Sequence, residues 1–188
     1  MNDTPWNDLT AGARAGDQAA ARQLVEALYP QVIGIIRNHL PRAADEQDMA
    51  QEVFLKMFQR LGQFNGTAPF PHWVSKIAVS TCLDHLRAQK RRPEYRFADL
   101  SENESELIQN TLMSTDAGAA SQSQAREMVE LLLARLDADD EVLVRMLDLE
   151  QKSLSEVSDI LGVPVTVVKV RAFRARRKLK KMLGHVRW

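Results

Sequence analysis

Apolar residues along this chain recur at helical spacing in two separate stretches. In the first stretch, the period of three to four residues runs through residues 20–40, 49–61 and 73–86. In the second stretch, it returns at residues 128–136 and continues, with short breaks, to residue 182. A period near 3.6 residues is typical of amphipathic helices that bury one face. The pattern therefore predicts an all-α protein built from two small helical domains.

Glycine, proline and polar residues mark the breaks between the predicted helices. Residues 10–17 contain two glycines and are interpreted as a short lead-in, and Pro30 is expected to break or kink its helix. Residues 93–122 are rich in serine, glutamate, asparagine, glycine and alanine, and a flexible linker of this length spans about 30 Å. We predict a first domain at residues 10–92, a flexible acidic linker at 93–122 and a second domain at 123–188.

The second domain carries local signals for a helix-turn-helix. Residues 137–140 are polar and can supply an N-cap, and Ser153 and Glu156 have the spacing of a capping box. Gly162 suits the left-handed residue that ends a helix, and Pro164 suits the start of the next one. A helix, a glycine-containing turn and a second helix can place that second helix in the major groove of DNA.

The formal net charge is zero, which by itself argues against a nucleic-acid-binding protein, but the charges are segregated. Residues 164–188 contain nine Lys or Arg and no Asp or Glu, whereas residues 93–130 contain eight acids and two bases. In the first domain, acids cluster at residues 45–52 and bases at residues 87–92. Such segregation is typical of a basic binding face joined to an acidic linker. It predicts DNA binding by the C-terminal helix.

The block at residues 45–92 resembles the second conserved region of a bacterial sigma factor, the promoter-recognition subunit of RNA polymerase. The resemblance is greatest to the small extracytoplasmic-function (ECF) group. Each matching piece alone is weak, whereas their joint order and spacing are specific. The matching residues are the run Asp-Glu-Gln-Asp-Met-Ala-Gln-Glu-Val-Phe at 45–54, then Phe64, Phe70, Trp73, Ile77, Ala78, Asp84, Leu86 and Arg87. Residues 14–40, including Gly16, Asp17 and Ala20, resemble the opening of the same region.

Residues 131–183 resemble the fourth region of the same family. The match runs through residues 161–165, Val168-Lys169, Arg171 and residues 173–176. Thr166, Val167 and Val170 depart from the Gly-Thr and Ser that the family often carries around the Val-Lys pair, so we expect an unusual promoter sequence. In the second region, Ser80 replaces a frequent Asn, and a hydroxyl cannot reproduce the bidentate readout of a base by an amide.

The resemblance implies binding of core RNA polymerase, promoter DNA and an anti-sigma factor. The implied polymerase contacts are Asp45, Asp48, Gln51, Glu52 and Phe54. The implied contacts to the minus-ten element and its phosphates are Phe64, Asn65, Phe70, Ser80, Asp84, Arg87, Lys90 and Arg91. The implied contacts to the minus-thirty-five element are Thr166, Lys169, Val170, Arg171, Phe173, Arg174, Arg176 and Arg177. Several alternatives stay open for the first domain and the linker: Phe64 or Phe70 can be core residues rather than a base-holding pocket, Asp84 can pair with Arg87, and the linker can be a plain tether or a segment threaded through the polymerase.

Other functional classes have less support in the sequence. The histidines and serines form no nucleophile-elbow or P-loop pattern, so no catalytic residue is assigned. Cys82 and His85 lack the further ligands of a zinc site, and neither a metal nor another cofactor is expected. A conventional helix-turn-helix regulator with a sensing or dimerisation domain explains the C-terminal half but not residues 45–92. An adaptor that binds polymerase without reading a promoter also stays open.

The expected location is the cytoplasm. The single cysteine suits a reducing compartment, and no apolar run approaches the roughly 20 residues that span a bilayer. The first residues, MNDTPWNDLT, lack the basic start and apolar core of a signal peptide. We therefore expect a protein without membrane insertion of its own.

Overall fold

The computed structural model describes residues 6–40, 45–91 and 119–184. Within these ranges, every element of regular secondary structure is a helix. The chain divides into two compact units, Met1–His85 and Leu86–Trp188. The predicted all-α architecture with two helical domains is confirmed.

The first unit is built on four helices: α1 (Trp6–Arg14), α2 (Gln18–His39), α3 (Glu46–Arg60) and α4 (Phe70–Lys90), whose last turn falls in the second unit. A 3-10 turn, Leu61–Gln63, follows α3 directly. The apolar stripes of these helices face inward and form one core. Its most buried members are Leu24, Leu28, Val32, Ile36, Val53, Met57, Phe70, Val74, Ala78 and Cys82.

Two aspartates fix where α2 and α3 begin. The carboxylate of Asp17 accepts the backbone N–H groups of Ala19 and Ala20, and that of Asp45 accepts those of Gln47 and Asp48. Each carboxylate therefore satisfies two of the donors that a helix start leaves unpaired, and its negative charge suits the helix dipole.

Two expectations for this unit need correction: residues 10–14 are helical rather than a lead-in, and Pro30 does not break its helix. Residues 10–14 belong to α1, and Gly12 lets α1 approach α2 closely, since a Cβ there would lie 2.9 Å from the Cβ of Ala20. The helix α2 continues through Pro30 without a break. Proline inside a helix costs about 3 kcal/mol or more. The fully buried Leu28 and Val32 on either side of it each contribute about 1.5–3 kcal/mol, which offsets that cost.

The second unit contains α5 (Ala119–Ala134), α6 (Ala138–Val144) with a π turn at Arg145–Leu149, α7 (Leu154–Leu161) and α8 (Val165–Gly184). Residues 93–118 of the predicted linker (93–122) lie outside the described residues. Its last residues were assigned wrongly, because α5 begins at Ala119. Alanine and glutamine there are good helix formers, so the polar composition does not prevent a helix.

A buried arginine ties α5 to α6. The guanidinium of Arg145 lies 2.5 Å from a carboxylate oxygen of Glu130 and 2.9 Å from one of Glu141. Burial alone would lower the pKa of Arg145, but the two carboxylates outweigh it and raise the pKa above its ordinary value. The arginine therefore stays charged in the core, where its partners supply the hydrogen bonds that a buried charge requires.

Candidate binding surfaces

The helix-turn-helix is formed by α7 and α8, as predicted. Ser153 and Glu156 make both hydrogen bonds of the capping box: the serine oxygen accepts the Glu156 N–H, and the glutamate carboxylate accepts the Ser153 N–H. Gly162 adopts φ 66° and ψ 29°, the left-handed conformation that ends α7. The carbonyl of Pro164 accepts the N–H groups of Val167 and Val168 at 2.9 and 3.1 Å, so α8 starts immediately after the proline.

The helix α8 buries one face and exposes the other. Val168, Ala172 and Ala175 are buried against the rest of the unit. Seven of the eight residues assigned to the minus-thirty-five element are exposed, and six of these seven form no ion pair among the described residues: Thr166, Lys169, Val170, Phe173, Arg174 and Arg177. The structure therefore brings these six side chains onto one accessible surface of a helix that can enter a groove.

The other two residues of that set, Arg171 and Arg176, are bonded within the unit. Arg171 donates to Asp140 at 3.1 Å, and Arg176 contacts both carboxylate oxygens of Asp148, at 2.7 and 3.2 Å. The hydrogen bonds to Asp148 raise the pKa of Arg176. These pairs attach α8 to the residues that precede α7. They compete with the phosphate contacts expected from the sequence.

The exposed face of α8 is partly apolar. Three of its side chains are large and solvent-accessible: Val167 is 39% exposed, Val170 48% and Phe173 67%. Phe173 also lines an open groove of about 410 Å³ together with Leu154, Ala172 and four basic residues. Apolar side chains surrounded by positive charge are unusual on a surface that only needs to be soluble.

The exposed face of α3 carries acidic and amide groups around one leucine. Asp48, Gln51 and Glu52 point to solvent, and Leu55, which is 55% exposed, lies among them at helical spacing. Glu52 also pairs with Lys56 at 2.7 Å. This surface, Asp48, Gln51, Glu52 and Leu55, is called the acidic face below.

The other two residues expected to bind polymerase have structural contacts in this unit. Asp45 caps α3, as described above. Phe54 is only 7% exposed, because its ring stacks on that of Tyr29 at a centroid distance of 6.4 Å. The expectation that Phe54 adds apolar area to the surface therefore needs correction, and Leu55 holds that position. The sequence carried a usable signal, since Leu55 follows Glu52 by three residues and Gln51 by four.

Phe64 and Phe70 belong to the core. Their rings meet edge-on at 5.0 Å, and Trp73 contacts both, at 5.5 and 5.6 Å. Of the two interpretations left open by the sequence, the core interpretation is the one that fits, because ring packing buries both phenylalanines. Arg14 donates to the carbonyls of Leu61 and Phe64 and so ties the loop to α1. Asn65 stays exposed and accepts a hydrogen bond from the Thr67 N–H.

One exposed stripe runs along α4. Ser80, Asp84, Arg87 and Arg91 follow one another by four, three and four residues, and all four are exposed. Lys90 is half-buried beside them. Spacing by threes and fours places side chains on one side of a helix. Half of the residues assigned to the minus-ten element therefore share one face.

Cys82 lies on the opposite side of α4 from this stripe. The side chain is fully buried, and burial raises the pKa of its thiol to about 12. A thiol this far from ionisation is a poor metal ligand or nucleophile. Among the described residues, no group of three or more His, Cys, Asp or Glu side chains could hold a metal ion. In the same part of the chain, no helix is long and apolar enough to cross a membrane.

An all-helical chain with an acidic helix face, a polar and basic stripe and a helix-turn-helix belongs to the class of DNA-binding transcription proteins. Comparison with known families gives the family itself. Residues 24–92 match the family Sigma-70 region 2, and residues 126–179 match Sigma-70, region 4. The chain therefore belongs to the sigma-70 family, as a sigma factor of the ECF type. It binds core RNA polymerase, recognises promoter DNA and promotes transcription initiation.

Individual relatives match over nearly their full length. The chain is 30% identical to the ECF RNA polymerase sigma-E factor of Escherichia coli, over 91% of this chain and 90% of the relative. It is 28% identical to the RNA polymerase sigma-H factor of Pseudomonas aeruginosa, over 93% and 92% of the two chains.

Two solved structures also resemble the chain. CnrH, in complex with the cytosolic domain of CnrY, is 25% identical, with a TM-score of 0.56 over 94% of this chain and 96% of CnrH. The sigma factor RpoE of Bartonella quintana, in complex with the anti-sigma factor NepR, has a TM-score of 0.53 over 88% of this chain and 98% of RpoE. Because its identity is 15%, RpoE supports the fold alone.

Proposed function

We propose that three separate surfaces divide the work of this sigma factor. The acidic face of α3 binds core polymerase, the exposed stripe of α4 meets the minus-ten element, and the exposed face of α8 reads the minus-thirty-five element. The observation that carries the proposal is the sorting of side chains by helix face: each of the three helices buries one apolar face, and most of the acidic, polar and basic groups in question lie on its accessible side. The chain supplies binding and positioning, and the polymerase supplies the chemistry of RNA synthesis.

Polymerase binding rests on Asp48, Gln51, Glu52 and Leu55. Their carboxylates and amide can meet a basic or polar partner surface, and Leu55 supplies an apolar centre that such a contact would bury. Interfaces of this form, with a buried apolar centre and a polar rim, concentrate binding energy in the centre. Asp45 and Phe54 contribute by fixing the start and the orientation of α3.

Promoter contacts rest on the accessible residues of α4 and α8. Ser80 and Asp84 can reach DNA from α4, and Asn65 can do so from the loop before it. Arg87 pairs with Asp139 at 2.7 Å and must give up that bond before it can hold a phosphate. The buried pair Phe64 and Phe70 supports that loop from behind rather than stacking on bases. On α8, Lys169, Arg174 and Arg177 are placed to contact bases or phosphates, so promoter affinity should fall as salt rises.

Control by an anti-sigma factor is the third part of the proposal. CnrH, which this chain resembles over almost its whole length, was solved in complex with a partner, CnrY. Exposed apolar side chains such as Leu55 and Phe173 give a protein partner surface to bury. A partner that covers either surface would prevent polymerase or promoter binding.

Run-off transcription with purified bacterial core polymerase tests the proposal. The templates are genomic fragments that include the upstream region of the gene, and the added chain is wild type, Asp48→Arg or Lys169→Glu. We expect specific start sites with wild type, loss of polymerase binding with Asp48→Arg, and loss of promoter choice with retained polymerase binding for Lys169→Glu.

Matched charge reversals at exposed positions outside the three surfaces serve as controls. Glu26→Arg on α2 and Arg126→Glu on α5 introduce the same changes in charge. Both should behave as wild type. A chain that binds promoter fragments but never directs initiation with core polymerase would contradict the proposal and favour a conventional regulator.

A further inference from the structure

The apolar stripe on the exposed face of α8, defined by Val167, Val170 and Phe173, lies outside the buried core of its unit. The buried face of the helix is formed by Val168, Ala172 and Ala175, and the stripe points away from them. Packing of α8 within its unit therefore does not account for the exposed apolar side chains.

The surroundings of the stripe indicate a nucleic-acid partner. Lys169, Arg174 and Arg177 are exposed beside it, and within the part of the chain that the structure describes no carboxylate forms a salt bridge with any of them. Positive charge at this density attracts the phosphates that border a DNA groove. Because Val170 and Phe173 lie between these basic residues around the helix and Val167 lies at their edge, docking of the basic groups on phosphates would turn the apolar side chains toward the base edges.

In the major groove, only thymine presents an apolar group, its C5-methyl, among the four standard bases. Every other base edge offers donors and acceptors, and an apolar side chain placed against them would remove water without replacing its hydrogen bonds. From Val167 to Phe173 the stripe covers six residue-to-residue steps of helix, which is about 9 Å at 1.5 Å per step. That length corresponds to roughly three base-pair steps of 3.4 Å.

We propose that the stripe reads thymine methyl groups, so that the minus-thirty-five element of this sigma factor is selected for thymines at two or three neighbouring base pairs, on either strand. The inference rests on the proposed role of α8 and adds the chemical feature that it recognises. Val170 is the central contact, since it lies on the outermost part of the exposed face with Thr166 and Arg177. Phe173, the most exposed of the three, contacts the base pair on one side of the pair that Val170 contacts, and Val167 contacts the base pair on the other side.

The test begins by selecting binding sites with the full chain bound to core polymerase. Duplexes randomised in the minus-thirty-five region are enriched for binding, and each selected thymine is then replaced singly by deoxyuridine. Deoxyuridine keeps the pairing and the O4 acceptor and lacks only the methyl group. Burying one methyl group corresponds to a three- to fivefold change in affinity. We expect a loss of that size at two or three neighbouring thymines and none at the others.

Variants of the stripe assign the effect to individual side chains. Val170→Ser should lose discrimination between thymine and deoxyuridine at one position while keeping it at the others, because it removes one apolar contact. Serine and valine have similar helix propensity, and Val170 is exposed, so the variant should unfold at the same temperature as wild type. Arg126→Glu on α5 is the control and should leave discrimination unchanged.

Two results would overturn the inference. Equal affinity of wild type for thymine and deoxyuridine at every selected position would exclude methyl readout. Discrimination that persists unchanged in Val170→Ser, Val167→Ser and Phe173→Ser would place the readout elsewhere, and the stripe would then be a surface for a protein partner. Specific start sites in run-off transcription distinguish either result from failure of the proposed function, because initiation does not require that thymines be read through their methyl groups.

Discussion

Truncation of Leu55 should weaken binding to core polymerase without weakening the fold. The side chain is 55% exposed in the free chain, and full burial of a leucine is worth about 1.5–3 kcal/mol. Burial of the exposed half of Leu55 on binding therefore contributes about 1 kcal/mol, after subtraction of the part that the Cβ of alanine would still bury. Leu55→Ala should then lower the affinity about fivefold. The assay is a titration of labelled chain with purified core polymerase, and equilibrium urea unfolding measures the stability of the same variant.

Leu149 supplies a matched control, because it is another leucine of nearly equal exposure, at 52%, and lies outside the acidic face. Leu149→Ala should bind core polymerase as wild type does. Since both leucines are exposed, neither substitution should change the free energy of unfolding by more than about 0.5 kcal/mol. Unchanged affinity of Leu55→Ala, with affinity lost in Asp48→Arg, would refute the argument that the acidic face has an apolar centre.

Three further predictions concern single side chains. Asp45→Ala should lower the free energy of unfolding of the first unit by about 1 kcal/mol because it removes the cap of α3, whereas Asp45→Asn should retain most of it; equal losses in thermal denaturation would contradict the capping role. Burial raises the pKa of the Cys82 thiol from 9.0 to about 12, so above pH 9 the thiol ionises in the unfolded chain but not in the folded one. The free energy of unfolding should therefore fall by up to about 1.4 kcal/mol per pH unit in that range, relative to Cys82→Ala. Parallel pH profiles of the two chains would refute this. Lys169→Gln should reduce the salt dependence of promoter binding by about one phosphate contact. Arg171→Gln should reduce this salt dependence less, because the side chain is bonded to Asp140, and it should lower the free energy of unfolding by up to about 1 kcal/mol. Equal salt slopes for the two variants would contradict the prediction.

Features set by local physics were predictable from the sequence. The capping box at Ser153 and the left-handed Gly162 depend on a few neighbouring residues, so spacing alone locates the helix-turn-helix. The helical period likewise predicted the buried faces of α3 and α4, because the residues of the apolar stripe of an amphipathic helix are the ones that pack into the protein core. The two-domain, all-α architecture follows from these local elements together.

Features set by tertiary packing were not predictable in the same way. The continuation of α2 through Pro30 depends on how well its flanking residues are buried, which no local pattern reports. Phe54 and Leu55 are adjacent apolar residues on one helix, and the helical period alone places Phe54 on the buried side and Leu55 on the acidic face. The partner that Phe54 packs against, Tyr29 on α2, depends on how the two helices pack and could not be read from the sequence.

The helix α8 shows that the number of basic residues does not by itself define a DNA-binding face. Nine Lys or Arg in residues 164–188 predicted a basic surface, but Arg171 and Arg176 are bonded to Asp140 and Asp148, which lie outside that segment. A basic side chain held by a carboxylate must give up that bond before it can hold a phosphate, so its net contribution to DNA affinity is small. The side chains that can meet DNA without such a loss are the exposed lysine and arginines and the apolar stripe between them. The basic side chains should then supply most of the affinity, and the stripe should add the preference for thymine methyl groups, so these two contributions are separable by mutation in one helix.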